Sequence, residues 1–167
     1  IKKEIIRGSL ICESCKESFD ILDGMANLIF PKELDEEIKS VQNFYDQRPL
    51  YDFRPTAFRL GIWALAFRRN NDRKKWADRL ELRQGNTVLE VGAGNGRLLP
   101  YIGDVIGYSG RLDGMDISSV CLEVARDVMK DRAAGCELVQ GNSSYLPYRS
   151  NKYDGVLSVG GFNDFKD

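Results

Sequence analysis

The sequence predicts an α/β domain: an open parallel sheet with flanking helices, preceded by a small β-hairpin segment and a helical cap. Three observations carry this. From residue 86 onward, short apolar runs alternate with helical stretches, the pattern of strand–helix–strand units with right-handed crossovers. A glycine-dense turn, "VLEVGAGNGRL" (88–98), joins the first such strand to the first such helix. Before residue 31 the pattern is different, an alternation of apolar and polar residues interrupted by turn signals.

The elements follow in order. "GSLICESCKESFDILDGMANLIF" (8–30) reads as short strands, with Asp23-Gly24 as a hairpin turn. Pro31 closes that unit and is expected in the first turn of a helix over "PKELDEEIKSVQNFYDQ". Glu33, Asp35, Glu36 and Glu37 suit that helix's positive end. Pro49 and Pro55 interrupt the helical pattern. Helices are expected over 56–69 and 72–83, the latter with Trp76 and Leu80 on its apolar face and an end at Gly85. The α/β part then reads as strand "NTVLEVG", helix "NGRLLPYIGDV", strand "GRLDGMDI", and a serine-capped helix "SSVCLEVARDVMKDRA". Strands "CELVQGN" and "YDGVLSVGG" complete it. The expected divisions are 1–30, a β segment; 31–85, a helical cap; and 86–167, the α/β core.

Composition narrows the function classes. The chain of 167 residues is 43% hydrophobic and 29% charged, the profile of a globular domain. No apolar run reaches the roughly 20 residues of a membrane span, and "IKKEIIRGSL" lacks the apolar stretch of a secretory signal. Four cysteines in that setting predict a reducing, cytoplasmic location rather than a disulfide scaffold. The absence of histidine removes the commonest general base and a frequent zinc ligand. Net charge is −1, yet residues 48–75 hold eight basic residues against Asp52 and Asp72. Aromatic residues are interleaved there: Tyr51, Phe53, Phe58, Trp63 and Phe67, with Trp76 just beyond. Such a stretch either contacts RNA or forms a solvated basic face on packed helices.

Gly92, Gly94 and Gly96 let backbone approach a ligand and let the turn take positive φ, and the helix that follows offers unpaired amides. A phosphate-binding P-loop requires Lys-Ser or Lys-Thr after its last glycine, and "GNGRLL" has neither. The dinucleotide fingerprint G-x-G-x-x-G fails as well, because position 97 is Arg and the third glycine comes one residue early.

The spacing E-x-G-x-G-x-G at Glu90, Gly92, Gly94 and Gly96 resembles the signature of class I S-adenosylmethionine-dependent methyltransferases, whose fold is Rossmann-like. The likeness continues through Asp116 at the end of the next strand and through "LVQGNSSYLPYRSNKYDGVLSVGGF". It implies S-adenosyl-L-methionine as cofactor, with Glu90 orienting the loop and the methionine amino group. It further implies that Gly92, Ala93, Gly94 and Gly96 form the loop beside the cofactor, and that Asp116 accepts from the ribose hydroxyls. Ile117 then packs on the adenine, Asn142 and Ser143 flank it, Leu146 and Pro147 cap the pocket, and Ser158 to Gly160 lie near the methionine moiety. Asn142 departs from the family's usual aspartate, although its carbonyl still accepts a hydrogen bond. "NFYDQRPLYDF" resembles the F-x6-Y-D of the ubiquinone and menaquinone methyltransferases, at Phe44, Tyr51 and Asp52, implying that Tyr51 closes over the cofactor. The family's fold also implies three strands beyond the fourth; Asn163 and Asp164, at the carboxyl end of that fourth strand where open α/β sheets bind ligands, are either acceptor contacts or a polar turn.

The implied activity is methyl transfer to a small-molecule or RNA acceptor, with no catalytic residue identified in the chain. The competing readings are a non-catalytic methyltransferase-like binding subunit and an NAD-linked Rossmann protein. "CESC" (Cys12, Cys15) has knuckle spacing, and its surroundings resemble half of the zinc ribbon of 23S rRNA guanine-N1 methyltransferases. A structural zinc site takes four ligands. Cys121 and Cys136 read as core residues, so no resident metal is expected, and Cys12 and Cys15 are the candidates should zinc bind.

Overall fold

The computed structural model describes residues 5–47, 73–132 and 134–159. Its framework is one seven-stranded sheet in the order β1-β2-β3-β6-β5-β4-β7. The strands are β1 (Gly8–Ile11), β2 (Ser18–Leu22), β3 (Met25–Asn27), β4 (Thr87–Val91), β5 (Arg111–Asp116), β6 (Cys136–Gln140) and β7 (Gly155–Leu157). β4 to β7 pair in parallel and form the expected α/β core. The helices are α1 (Glu36–Asp46), α2 (Leu99–Ile106) and α3 (Ser119–Met129), with a further helical stretch at 73–78.

The parallel strands read as near-continuous apolar runs because both their faces are covered. Val88 and Leu112 on one face pack with Leu99, Ile102 and Ile106 of α2 and Ala125 and Met129 of α3. Leu89, Val91 and Met115 on the other face pack against Tyr148 and Tyr153. At Gly114 of β5 a Cβ would lie 2.9 Å from the Leu138 Cδ2 methyl, so the side chains packed there would have to shift to admit one.

The sequence breaks at Pro31, but the sheet does not. β1 to β3 form the expected antiparallel unit, with Asp23 and Gly24 at φ 48° and 79° in its turn. β3 then pairs in parallel with β6 through Ala26↔Val139 and Asn27↔Gln140, so the N-terminal unit covers what would be the edge of β6. At the opposite end of the sheet order is β7.

Two local expectations are corrected. Pro31 does not open α1; the helix begins at Glu36, because the Asp35 carboxylate accepts from the Ile38 amide at 3.0 Å and fixes the N-cap there. In the stretch at 73–78 the buried residue is Ala77, while Trp76 is 38% exposed. Small Ala77 fits against the α2 core cluster, and Glu81, at φ 50°, helps end the run before the expected boundary. The helix expected over 56–69 lies outside the described residues, as do Tyr51, Asp52, Asn163 and Asp164 and most of the basic segment.

Candidate cofactor site

The carboxyl ends of β4, β5 and β7, with the loop after β6, converge where open α/β sheets bind ligands. The glycine turn leaves β4 with Gly92, Gly94 and Gly96 all at positive φ: 73°, 53° and 70°. The amides of Gly92 and Ala93 both donate to the Met115 carbonyl, at 2.8 and 2.9 Å, which ties the turn to β5.

The glycines are not equivalent. A Cβ on Gly94 would meet nothing within 4 Å, so its outer side faces open space. A Cβ on Gly96 would lie 2.7 Å from Ala125 Cβ and 2.9 Å from its Cα. Gly96 is therefore demanded by packing on α3. α2 itself starts only at Leu99, with Pro100 in its first turn and no side-chain cap.

Asp116, at the end of β5, organises the turn. Its Oδ2 accepts from the Gly94 amide at 2.7 Å and its Oδ1 from the Ser118 amide at 2.9 Å. Burial pushes its pKa up, and these amides, with that of Ile117, oppose the shift. The carboxylate retains lone pairs for further donors.

Glu90 is the site's anomaly. It is 3% exposed near the carboxyl end of β4, and Oε2 has no hydrogen-bond partner. Burial pushes its carboxyl up to about 8, the nearby Asp116 charge adds to this, and Arg73 opposes it. Ser158, just beyond β7, has a second buried oxygen without a partner. Glu90 and Leu157 are register partners, so these two unsatisfied groups lie on adjoining strands at the same end of the sheet. Unpaired buried polar atoms are costly enough to call for an explanation.

On the far side of the turn, Asn142 is 3% exposed and largely occupied by the chain itself. Its Oδ1 accepts from the Ser144 amide at 3.1 Å, and its Nδ2 donates to the Phe30 carbonyl at 3.4 Å. Ser143 is half-buried, while Leu146 and Pro147 are exposed. A cleft beside them is lined by Pro31, Leu34, Ile38 and Tyr145 with Asp35, Asn142 and Ser144.

Sequence reasoning missed how firmly α1 is fastened here. Gln42 and Gln140 both donate to the Ile117 carbonyl, at 3.2 and 3.0 Å. The Ser118 hydroxyl donates to Asp46 at 2.6 Å, and the Cys121 thiol lies 3.7 Å from the Tyr45 carbonyl. The polar Gln42 and Asp46, four residues apart on α1, were the available signal. Phe44, by contrast, is 48% exposed and rests edge-on against Tyr45.

The cysteine pair is drawn together in a turn. The Lys16 amide donates to the Cys12 carbonyl at 2.9 Å, with Lys16 itself at φ 63°. The Cys15 and Ser14 amides and the Cys15 side chain lower the Cys12 pKa. All four cysteines are free; Cys121 is buried, and burial pushes Cys136 up to about 12. Among the described residues no group of three or more metal-ligating side chains comes together, and no helix is long and apolar enough to cross a membrane.

Comparison with known proteins agrees with this geometry. Residues 88–167 match the family model described as a methyltransferase domain. This match agrees with the resemblance to the class I S-adenosylmethionine-dependent methyltransferases read from the glycine turn. The demethylmenaquinone methyltransferase of Oceanobacillus iheyensis is 30% identical over 105 residues, covering 62% of this chain and 44% of that protein. The ubiquinone/menaquinone biosynthesis C-methyltransferase UbiE of Hahella chejuensis is 32% identical over 92 residues, covering 54% and 37%. The chain thus spans less than half the length of these two relatives. In fold, it resembles a SAM-dependent methyltransferase from Aquifex aeolicus, with TM-score 0.52, 20% identity, and 81% and 62% of the two chains covered. The methyltransferase family implies S-adenosylmethionine as cofactor, and the described residues fit it: an open glycine turn, an acid at the end of β5, and bare buried oxygens at Glu90 and Ser158.

Proposed function

We propose that this chain holds S-adenosyl-L-methionine for methyl transfer to a small-molecule acceptor. The observation that carries the reading is the buried, unpartnered Oε2 of Glu90 beside a glycine turn whose Gly94 faces open space. A carboxylate so placed suits the ammonium of an amino-acid moiety. Asp116, held by the Gly94 and Ser118 amides, keeps lone pairs for a diol. Gly92 and Ala93 shape the turn, Ile117 supplies apolar surface, and Asn142, Ser143 and Ser158 complete the rim. Tyr51 is proposed to close over the site on the strength of the F-x6-Y-D resemblance.

When bound, the cofactor supplies a methyl group on a sulfonium, displaced in line with no need to protonate the leaving group. The chain's residues therefore have to bind, align and exclude water, and histidine is dispensable for that work. The relatives named above are a demethylmenaquinone methyltransferase and a ubiquinone/menaquinone biosynthesis C-methyltransferase, so an electron-rich ring carbon is the first acceptor class to test. The cytoplasm is the proposed location.

Calorimetry with S-adenosylhomocysteine tests the reading. Asp116→Asn should weaken binding by about tenfold or more if the carboxylate accepts from ligand hydroxyls, a loss of about 1.4 kcal/mol. Equal affinity in a folded variant refutes that role, and no binding by the full chain favours a non-catalytic scaffold.

A further inference from the structure

Two acids occupy the site, and they are solvated by the chain very differently. Asp116 accepts from the Gly94 and Ser118 amides, so its negative charge has donors already in place. Glu90 Oε2 has none, and the residue is 3% exposed. A single proton shared by this pair belongs on the acid without donors, since an ionised carboxylate stripped of water and hydrogen bonds is the costlier species.

The surroundings of Glu90 do not reverse that assignment. Asp116 on β5 repels its charge, Arg73 in the 73–78 stretch opposes that in part, and the Cys136 thiol on β6 stays neutral. Asp46 of α1 acts on Asp116 and adds further negative potential. The direction of the Glu90 shift agrees with the geometry.

We propose that Glu90 carries a proton in the empty site and gives it up when the ammonium of the ligand docks at its bare oxygen. Ligand capture is then proton-coupled: one proton leaves Glu90 for solvent as one cation arrives, and the buried site gains no net charge. The proposal rests on the cofactor reading above and deepens it. Below the empty-site pKa of about 8, affinity rises with pH, because ionising Glu90 is part of binding; above it the dependence fades.

The test is calorimetry of S-adenosylhomocysteine binding to the full chain, in buffers of low and high ionisation enthalpy, at about pH 6, 7 and 8. The expected result is about one proton released per ligand bound at the two lower values, with affinity rising about tenfold per pH unit between them. Glu90→Gln mimics the protonated acid and should bind with no proton release and a flat pH profile. Binding without release in the unmodified chain overturns the proposal and leaves the cofactor reading standing. Release that persists in Glu90→Gln also overturns it, since the proton then comes from a group other than Glu90. Failure of the folded chain to bind at all removes both. Should Glu90→Gln not fold, carbon-13 carboxyl titration of the ligand-free chain decides: a glutamate titrating near 8 supports the proposal, and none above about 6 overturns it.

Discussion

Three residues apart on β5, the buried Asp113 and the half-buried Asp116 are acids with opposite circumstances. Asp113, 1% exposed, is met by the chain's own donors: Arg111 Nε at 3.0 Å, Lys152 Nζ at 3.4 Å and the Tyr153 hydroxyl at 2.5 Å. Lys152 also sits over the rings of Tyr148 and Tyr153, at 5.0 and 4.9 Å from their centroids. Asp116 and its neighbour Glu90 have backbone amides on one acid and nothing on an oxygen of the other. The first cluster closes a structure, pinning the segment after β6 across β5. The second is left open, beside the free space at Gly94. A buried acid by itself therefore does not mark a candidate site; a buried acid oxygen that the chain leaves without a partner does.

Removing each acid sharpens the contrast. Asp113→Ala strips the Tyr153 hydroxyl, Arg111 and Lys152 of their common acceptor and should destabilise the fold by about 3 kcal/mol. Glu90→Gln should hold or raise the thermal midpoint at neutral pH. The folded Glu90 pKa lies above its unfolded value, so its contribution to stability is complete below the unfolded pKa and lost as pH rises through about 8. The glutamine variant lacks that decline. Thermal melts of both variants at acid and mildly alkaline pH check the pair, and equal losses would erase the distinction.

The same contrast runs through the glycine turn, with a smaller effect. Gly96→Ala drives a Cβ into Ala125, backbone included, at a residue already at positive φ, and should cost about 2–3 kcal/mol. Gly94→Ala meets nothing and should cost about 1 kcal/mol, while blocking the face left open for the ligand. Chemical denaturation and S-adenosylhomocysteine affinity separate the two. Gly96→Ala should lose more stability, and Gly94→Ala more affinity per unit of stability.

How far the sequence could reveal this depends on how local each cause is. The strand–helix alternation, the Asp23-Gly24 turn and the Ser118 cap are written in neighbouring residues, and they are where the structure agrees with the reading. The pairing of β3 with β6 joins residues more than a hundred positions apart, and nothing local in either strand specifies it. Gly96 reads like Gly94 because spacing shows that a side chain is missing but not what would have struck it. Glu90 was legible as a candidate from its place before the glycines. That its oxygen is bare was not, because the list of absent partners exists only once the sheet has formed.

The smallest expected effect concerns α1, which has no buried residue of its own. A helix so placed is held largely by polar ties, and Ser118 supplies a short one. Its hydroxyl accepts from the Cys121 amide at 3.1 Å, capping α3, and donates to Asp46 at 2.6 Å, fastening the end of α1. Ser118→Ala should therefore cost about 1 kcal/mol, chiefly through the lost cap, since the half-exposed Asp46 can turn to water. Hydrogen exchange localises the rest. Amides near the C-terminal end of α1 should exchange about fivefold faster, the equivalent of about 1 kcal/mol, while those of β4 and β5 keep their protection. Unchanged exchange in α1 would mean that Gln42 on the Ile117 carbonyl is sufficient to hold the helix against the loop that follows Asp116. That loop is where the open cluster meets its cover, so the result reports how independently the two can move.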